Sequence, residues 1–272
     1  MKKDFYPTTI IQSVLITVLF LLTISIVLGI FTLIDFVLID SALTNVYILT
    51  FAKIFSYPLG LFVVYKFVVK KSNFKRFDFT LPNFKILVLV SLISLLSILV
   101  IHFPFDYLFI TSFKINFSGN SFTLDKVIGE LILSPITEEL VFRAIILKGL
   151  LTKMKPWKAI LISALLFGAP HFSPINQGAI LGAILLGLLT GWIYYKTKNI
   201  IYPIIMHFMN NLTILSTIYY FNNHNLEVFT NESYFLYGEN SLIILSLFLI
   251  LFISTIFIVN RFIDYNSKKI KK

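Results

Sequence analysis

Two glutamates and an arginine stand in a stretch that is otherwise apolar, Ser134-Pro135-Ile136-Thr137-Glu138-Glu139-Leu140-Val141-Phe142-Arg143. A carboxylate can take a proton from water and a guanidinium can hold a carboxylate in place, so these residue types suit acid–base work. Glu139 and Arg143 are four apart and share a helix face, the spacing of an internal ion pair. Glu138 lies about 100° round the helix from Glu139 and is left to point elsewhere. Pro135 has no N–H to donate and is expected to kink or open the helix just before the carboxylates. The competing reading is that the three charges only lock helices together, but ionisable groups inside an apolar span default to function.

Histidines supply the second half of the candidate chemistry. Phe167-Gly168-Ala169-Pro170-His171 places one near the end of a short, proline-broken helix. Taken alone, it reads as a polar helix-end residue. His207 and Asn211 are one turn apart on one face of a later helix that also carries Pro203, so they could donate together to one oxygen, bind one metal, or bridge helices. The other two histidines, His102 at a span end and His224 in a polar stretch, are assigned no role. Gly182, Gly187 and Gly191 form a small-residue surface for close packing between these runs.

The elements that must hold these groups are helices in lipid. With 57% hydrophobic and 13% charged residues, the 272-residue chain is too apolar for an ordinary soluble domain. Apolar runs at Thr8–Ile34, Val46–Tyr65, Ile86–Ile101, Val127–Leu147, Ala159–Phe172, Gly178–Tyr195, Ile200–Tyr220 and Ser241–Val259 predict about eight helices; most approach the roughly 20 residues needed to cross a bilayer. Backbone groups in hydrocarbon must pair internally, which selects helices. The expected fold is all-α and polytopic. It is a single transmembrane domain over 1–272 whose core, 126–220, surrounds a polar intramembrane cavity.

A net charge of +10 raises nucleic acid as a partner, but the basic residues sit in short connectors rather than in one stripe, and topology accounts for them. Alternating the spans puts Lys66, Lys70, Lys71, Lys75, Arg76, Lys85, Lys148, Lys153, Lys155, Lys158, Lys196, Lys198, Arg261 and both lysine-rich ends on one side, against Lys114 and Lys126 on the other. Lys53 and Arg143 fall inside spans. Both termini are therefore expected to be cytoplasmic, with the apolar run after Met1-Lys2-Lys3-Asp4 retained as a first span. The longest polar connectors, Phe105–Leu124 and Phe221–Asn240, fall on the opposite side. Without cysteine there is no thiol nucleophile, thiolate metal site or disulfide.

Taken in order, Glu138-Glu139-x-x-x-Arg143, Phe167-x-x-x-His171 and His207-x-x-x-Asn211 resemble the three signature motifs of the CAAX-prenyl endopeptidase and bacteriocin-processing family of intramembrane proteases, also called Abi or CPBP. Gly187-x-x-x-Gly191-Trp192-x-x-Tyr195-x-Thr197-x-Asn199 and Tyr202-Pro203 resemble that family's approach to its last motif. The resemblance covers roughly Ser134 to Asn211. Ala144 departs from it, because the family often has glycine after the arginine.

The resemblance implies an endopeptidase in which Glu138 with His171 activates water, His207 and Asn211 stabilise the oxyanion, and Glu139 with Arg143 holds the site together. Glu138, His171, His207 and Asn211 could equally hold zinc with an open water position. Metal-free glutamate chemistry is preferred, since asparagine is an uncommon zinc ligand and the spacing is not His-Glu-x-x-His. The implied substrate is a membrane-associated or hydrophobic peptide: a leader, bacteriocin, signal peptide or prenylated tail. The lipid bilayer is a partner, nucleic acid is not, and oligomeric state is unread. High lysine, isoleucine and asparagine usage is compatible with an AT-rich bacterial genome, and a bacterial cell membrane is the expected location. The alternative is a non-proteolytic scaffold or bacteriocin-immunity protein that uses the same cavity for binding. A transporter trails, because no paired broken helices in two similar halves are visible.

Overall fold

The computed structural model describes residues 5–39, 46–74, 76–102, 122–172, 177–223 and 241–270. The polar connector Phe221–Asn240 beyond Asn223, nearly all of Phe105–Leu124, His224, the His102 side chain, the lysines of the N-terminus and the side chains of the lysine-rich C-terminus lie outside that description.

Among the described residues every regular element is helical. We number them α1 (Ile10–Ile39), α2 (Val46–Lys71), α3 (Phe84–Ser97, continued by Ile98–His102), α4 (124–150), α5 (Pro156–Gly168, continued by Ala169–His171), α6 (Gln177–Thr197), α7 (Ile201–Asn223) and α8 (Ser241–Ile270). Each falls on one of the apolar runs. Among the described residues, four stretches are long and apolar enough to cross a membrane: Ile10–Val37, Val46–Lys71, Ala179–Thr197 and Ile243–Asp264. Their outward side chains, such as Ile11, Leu22 and Phe36 on α1 and Leu247, Ile250 and Phe257 on α8, are exposed and apolar. A surface of this kind suits lipid and is costly in water.

Helix starts follow from capping chemistry. Thr9 Oγ1 accepts from Gln12 N while Gln12 Oε1 accepts from Thr8 N, closing the first turn of α1. Asn83 Oδ1 accepts from Lys85 N and Ile86 N at the start of α3, and Asn199 Oδ1 accepts from Ile201 N at the start of α7.

The chain divides into two compact units. One holds α1, α2, α4 and α5 as far as Leu166. Its core includes Ile16, Phe20, Val64, Phe142, Ile145 and Leu147, all buried, and the Phe20 and Phe142 rings meet edge to face at 6.4 Å. Gly60 lets α1 and α2 approach, because a Cβ there would stand 3.1 Å from Phe20 and Ile24. The other unit holds Phe167 onward together with α3. Within it α3 packs on α7 and α8, and α6 packs on α7.

Gly149, at the end of α4, lies directly against the Pro7 carbonyl, and a Cβ at this position would collide with that backbone oxygen. Backbone cannot step aside as a side-chain tip can, so Gly149→Ala should destabilise by about 1–3 kcal/mol. Thermal melts in detergent check this; a melt unchanged from wild type contradicts the contact.

Candidate active site

Helix α4 departs from regular geometry on both sides of the carboxylate pair. Ser134 N–H bonds to the Gly129 carbonyl, five residues back, and Lys148 N–H reaches the Arg143 carbonyl, also five back. Wide turns therefore run over Val127–Leu133 and Leu140–Leu147, with a normal turn, Ser134–Glu139, between them. Pro135 sits at the start of that normal turn, where its missing N–H is tolerated because the preceding turn is already open. The opening expected of Pro135 takes this form.

The ion pair expected from spacing is present. Arg143 Nε lies 3.0 Å from Glu139 Oε2, and both side chains are 0% exposed. Charges buried so completely are tolerable only together. Glu138 points another way. Its Oε1 accepts a 2.5 Å hydrogen bond from Ser134 Oγ, one turn back, and the Tyr57 phenol of α2 lies close by. The carboxylates of Glu138 and Glu130 both bear electrostatically on that phenol.

One turn before Tyr57, Lys53 reaches the same face of α4. Its Nζ lies 2.8 Å from Asp125 Oδ2 and 3.4 Å from Glu130 Oε1. Lys53 crosses α4 over Gly129, where a Cβ would collide with its Cδ. The lysine that the sequence leaves inside a span is thus paired with two carboxylates. Asp125, Glu130, Ser134 and Glu138 line one face of α4, the five-residue step from Asp125 to Glu130 leading into its wide turn, and α2 answers with Lys53 and Tyr57.

In the other unit Phe167 is the common neighbour of both candidate histidines. Its ring centroid is 5.4 Å from that of His171 and 5.4 Å, nearly perpendicular, from that of His207. His171 Nδ1 is 3.1 Å from the Phe167 carbonyl oxygen. A carbonyl only accepts, so Nδ1 carries the proton and, in the neutral ring, Nε2 keeps its lone pair. This is the tautomer that a base or a metal ligand needs. His171 is exposed at its helix end, whereas His207 is buried.

Helix α7 is fixed by bonds to α3 and its approach. Ser94 Oγ donates to the Met206 carbonyl at 2.8 Å, Asn83 N–H donates to the Tyr202 hydroxyl at 2.6 Å, and Asn199 Nδ2 donates to the Thr80 carbonyl at 3.0 Å. Asn199 and Tyr202, noted in the sequence only as part of the approach, are the anchors that orient His207. Asn211 is half-buried, while its neighbour Asn210, three residues from His207, is buried with its Oδ1 lacking a hydrogen-bond partner among the described residues. Sequence reasoning passed over Asn210; its signal was the doubled Asn210-Asn211, of which only the second fits the motif spacing.

Within each unit, no three His, Asp or Glu side chains among the described residues form a metal-holding group. Residues 120–213 match the family model for type II CAAX prenyl endopeptidase, Rce1-like, which spans about a third of the chain. This segment is Rce1-like. The match agrees with the resemblance carried by the three motifs and encloses Glu138, Glu139, Arg143, His171, His207 and Asn211. Lys53 and Tyr57 lie outside the Rce1-like segment. No curated protein and no solved structure matches.

Removing one member of the Glu139–Arg143 pair strands the other charge in the core. Glu139→Gln should therefore cost about 3–5 kcal/mol of stability, whereas the double replacement Glu139→Leu with Arg143→Met should recover most of it. Chemical or thermal unfolding in detergent reads both. A single variant as stable as wild type rules out a buried structural pair.

Proposed function

We propose that this protein is an intramembrane endopeptidase that hydrolyses a peptide bond in a membrane-associated or hydrophobic peptide. The observation that carries the reading is the Rce1-like match over the stretch that contains all three polar motifs, in order, on apolar helices. The geometry of the individual groups supports it. Glu138 is turned away from the Glu139–Arg143 pair and held by a hydroxyl donor, and His171 is fixed in the tautomer that presents Nε2.

On this reading Glu138, with His171, takes a proton from water as the hydroxide attacks the scissile carbonyl. His207 and Asn211 donate to the oxyanion, where charge develops. The proton held by Glu138 then passes to the leaving amine as the carbon–nitrogen bond breaks. Glu139 and Arg143 keep the helix in register and touch no substrate. Remaining helical runs cross the bilayer beside the four that are long and apolar enough to span it and enclose a polar cavity, in a bacterial cell membrane with both termini cytoplasmic. Substrates in such a setting are leaders, bacteriocins, signal peptides or prenylated tails. Zinc held by the same four residues would supply a Lewis acid and a bound water at that position. The second reading is a scaffold or immunity protein that binds through the same residues without cleaving; it draws on their dense internal pairing, since satisfied polar groups also stabilise.

Purified wild type and Glu138→Gln, matched by thermal melt, should be incubated with fluorogenic peptides, plain and prenylated, with and without chelator. Wild type should cleave, and Glu138→Gln should lose about 100-fold or more of kcat, the scale of a general base. Chelator sensitivity would assign the water to a metal. If neither protein cleaves while Glu138→Gln keeps the cellular phenotype, the binding reading replaces the hydrolase.

A further inference from the structure

Helix α4 carries two exposed faces of opposite character. Leu124, Ile132 and Ile136 stand on one, with Ile132 45% and Ile136 38% exposed, an apolar stripe of the kind that lipid covers. Glu130 stands on the other. Its side chain is 43% exposed, yet Ile132 lies about 200° round a regular helix from it. An ionised carboxylate facing hydrocarbon is costly, and the short stem of glutamate cannot carry its charge out to the interface as a lysine stem can. The exposure of Glu130 is therefore exposure to water.

The groups that follow give that water a path. Asp125, Glu130, Ser134 and Glu138 succeed one another at about one helical turn, on the face of α4 that α2 covers. Gly129 keeps the groove open where the Lys53 stem crosses it, since a Cβ there would collide with Lys53 Cδ. Lys53 Nζ, 2.8 Å from Asp125 and 3.4 Å from Glu130, holds the two carboxylates at the mouth. Ser134, itself buried, is the neck, and it donates to Glu138, which is half-buried at the inner end. Beyond that point the character changes. Every residue of α4 from Glu139 to Leu147 is buried, and all but the paired Glu139 and Arg143 are apolar. The polar face thus leads from the start of α4 to Glu138 and ends there.

Peptide hydrolysis consumes one water for each bond broken, the hydroxyl joining the acyl carbon and the remaining proton the amine. We propose that the α2–α4 face from Asp125 to Glu138 is a water-filled groove, open on the side of the membrane where α4 begins, that supplies this water to Glu138. The supply role rests on the hydrolase reading above, whereas the groove itself does not. Charged and hydroxyl groups about one turn apart are within the span of bridging water, which pairs with such groups nearly as well as they pair directly.

The protein contains no cysteine, so a single introduced cysteine is its only thiol. A charged methanethiosulfonate reacts with thiolate and does not cross the bilayer, and so reports water at that position from the side to which it is added. Full-length Glu130→Cys, Ser134→Cys, Ile132→Cys, Ile136→Cys and Lys126→Cys, matched by thermal melt, are reconstituted in sealed vesicles. Lys126, in the first turn of α4, marks the side on which the helix begins. Glu130→Cys and Ser134→Cys should label from that side, and Ile132→Cys and Ile136→Cys about 100-fold or more slowly, because a thiol in hydrocarbon stays protonated. Ser134→Cys exchanges only oxygen for sulfur and answers for the groove should Glu130→Cys not fold. Labelling at positions 130 and 134 no faster than at 132 and 136, or only from the opposite side, overturns the groove. To test supply, Glu130→Cys is assayed for peptide cleavage before and after coupling to a benzyl-sized reagent, the uncoupled protein serving as the reference. Coupling should lower kcat about 10-fold or more with KM retained. An unchanged kcat means that water enters elsewhere, which overturns the supply role and leaves the hydrolase reading intact. A wild type that cleaves nothing overturns the hydrolase reading and the supply role with it, and the labelling pattern alone then decides the groove.

Discussion

Charge placed among apolar side chains has to find its partners within the protein, and that constraint organises α4. An ionised carboxylate loses far more on leaving water than an apolar helix can return, unless donors are built around it. Helix α4 carries Asp125, Glu130, Glu138 and Glu139 within about four turns, and each has an identifiable answer. Lys53 meets the first two, Ser134 meets the third and Arg143 the fourth. The packing of α2 on α4 then follows, since α2 is the helix that brings Lys53 and Tyr57 to that face.

The same constraint explains why α4 is wound loosely where a straight α-helix would serve for length. In a regular helix, Glu138 and Ser134 lie on one face, while Asp125 and Glu130, five apart, would diverge by more than a quarter turn. A wide turn brings residues five apart nearer alignment. The turn over Val127–Leu133 therefore collects acidic and hydroxyl groups into a stripe that one neighbouring helix can satisfy. Gly129 completes the arrangement by leaving room for the Lys53 stem to cross.

How far the sequence discloses this depends on whether an interaction is local. The helices were legible because runs of apolar residues bounded by charge have one outcome, and the Glu139–Arg143 pair because four-residue spacing fixes both partners on one helix. Pro135 was legible as a break, although not as the wide turn that accompanies it, since five-residue hydrogen bonding leaves no residue pattern of its own. Lys53 was visible as a charge inside a span, but its partners lie more than 70 positions away, and no periodicity connects them. Tyr57 gave no signal at all: an aromatic residue beside a proline in an apolar helix reads as packing, and only the fold brings it to this face of α4. In the other unit the motif residues His171 and His207 were legible as a pair of types, whereas Phe167, their shared neighbour, entered only as the first letter of a motif.

That last residue shows how one apolar side chain can serve chemistry. Phe167 contributes a carbonyl that accepts a hydrogen bond from His171 Nδ1, and a ring against which two imidazoles pack. A histidine that is merely solvated interconverts between tautomers, and either nitrogen can be the base. Once Nδ1 is committed to a backbone acceptor, the lone pair of the neutral ring is confined to Nε2, and the aromatic contact restricts where the ring can swing. His171 can therefore lie exposed at the end of a short helix and still offer a fixed acceptor. The feature that made it look bland in isolation, a polar residue closing a proline-broken turn, is the source of its orientation: Ala169–His171 winds tightly enough to turn the imidazole back onto the carbonyl of the preceding helix.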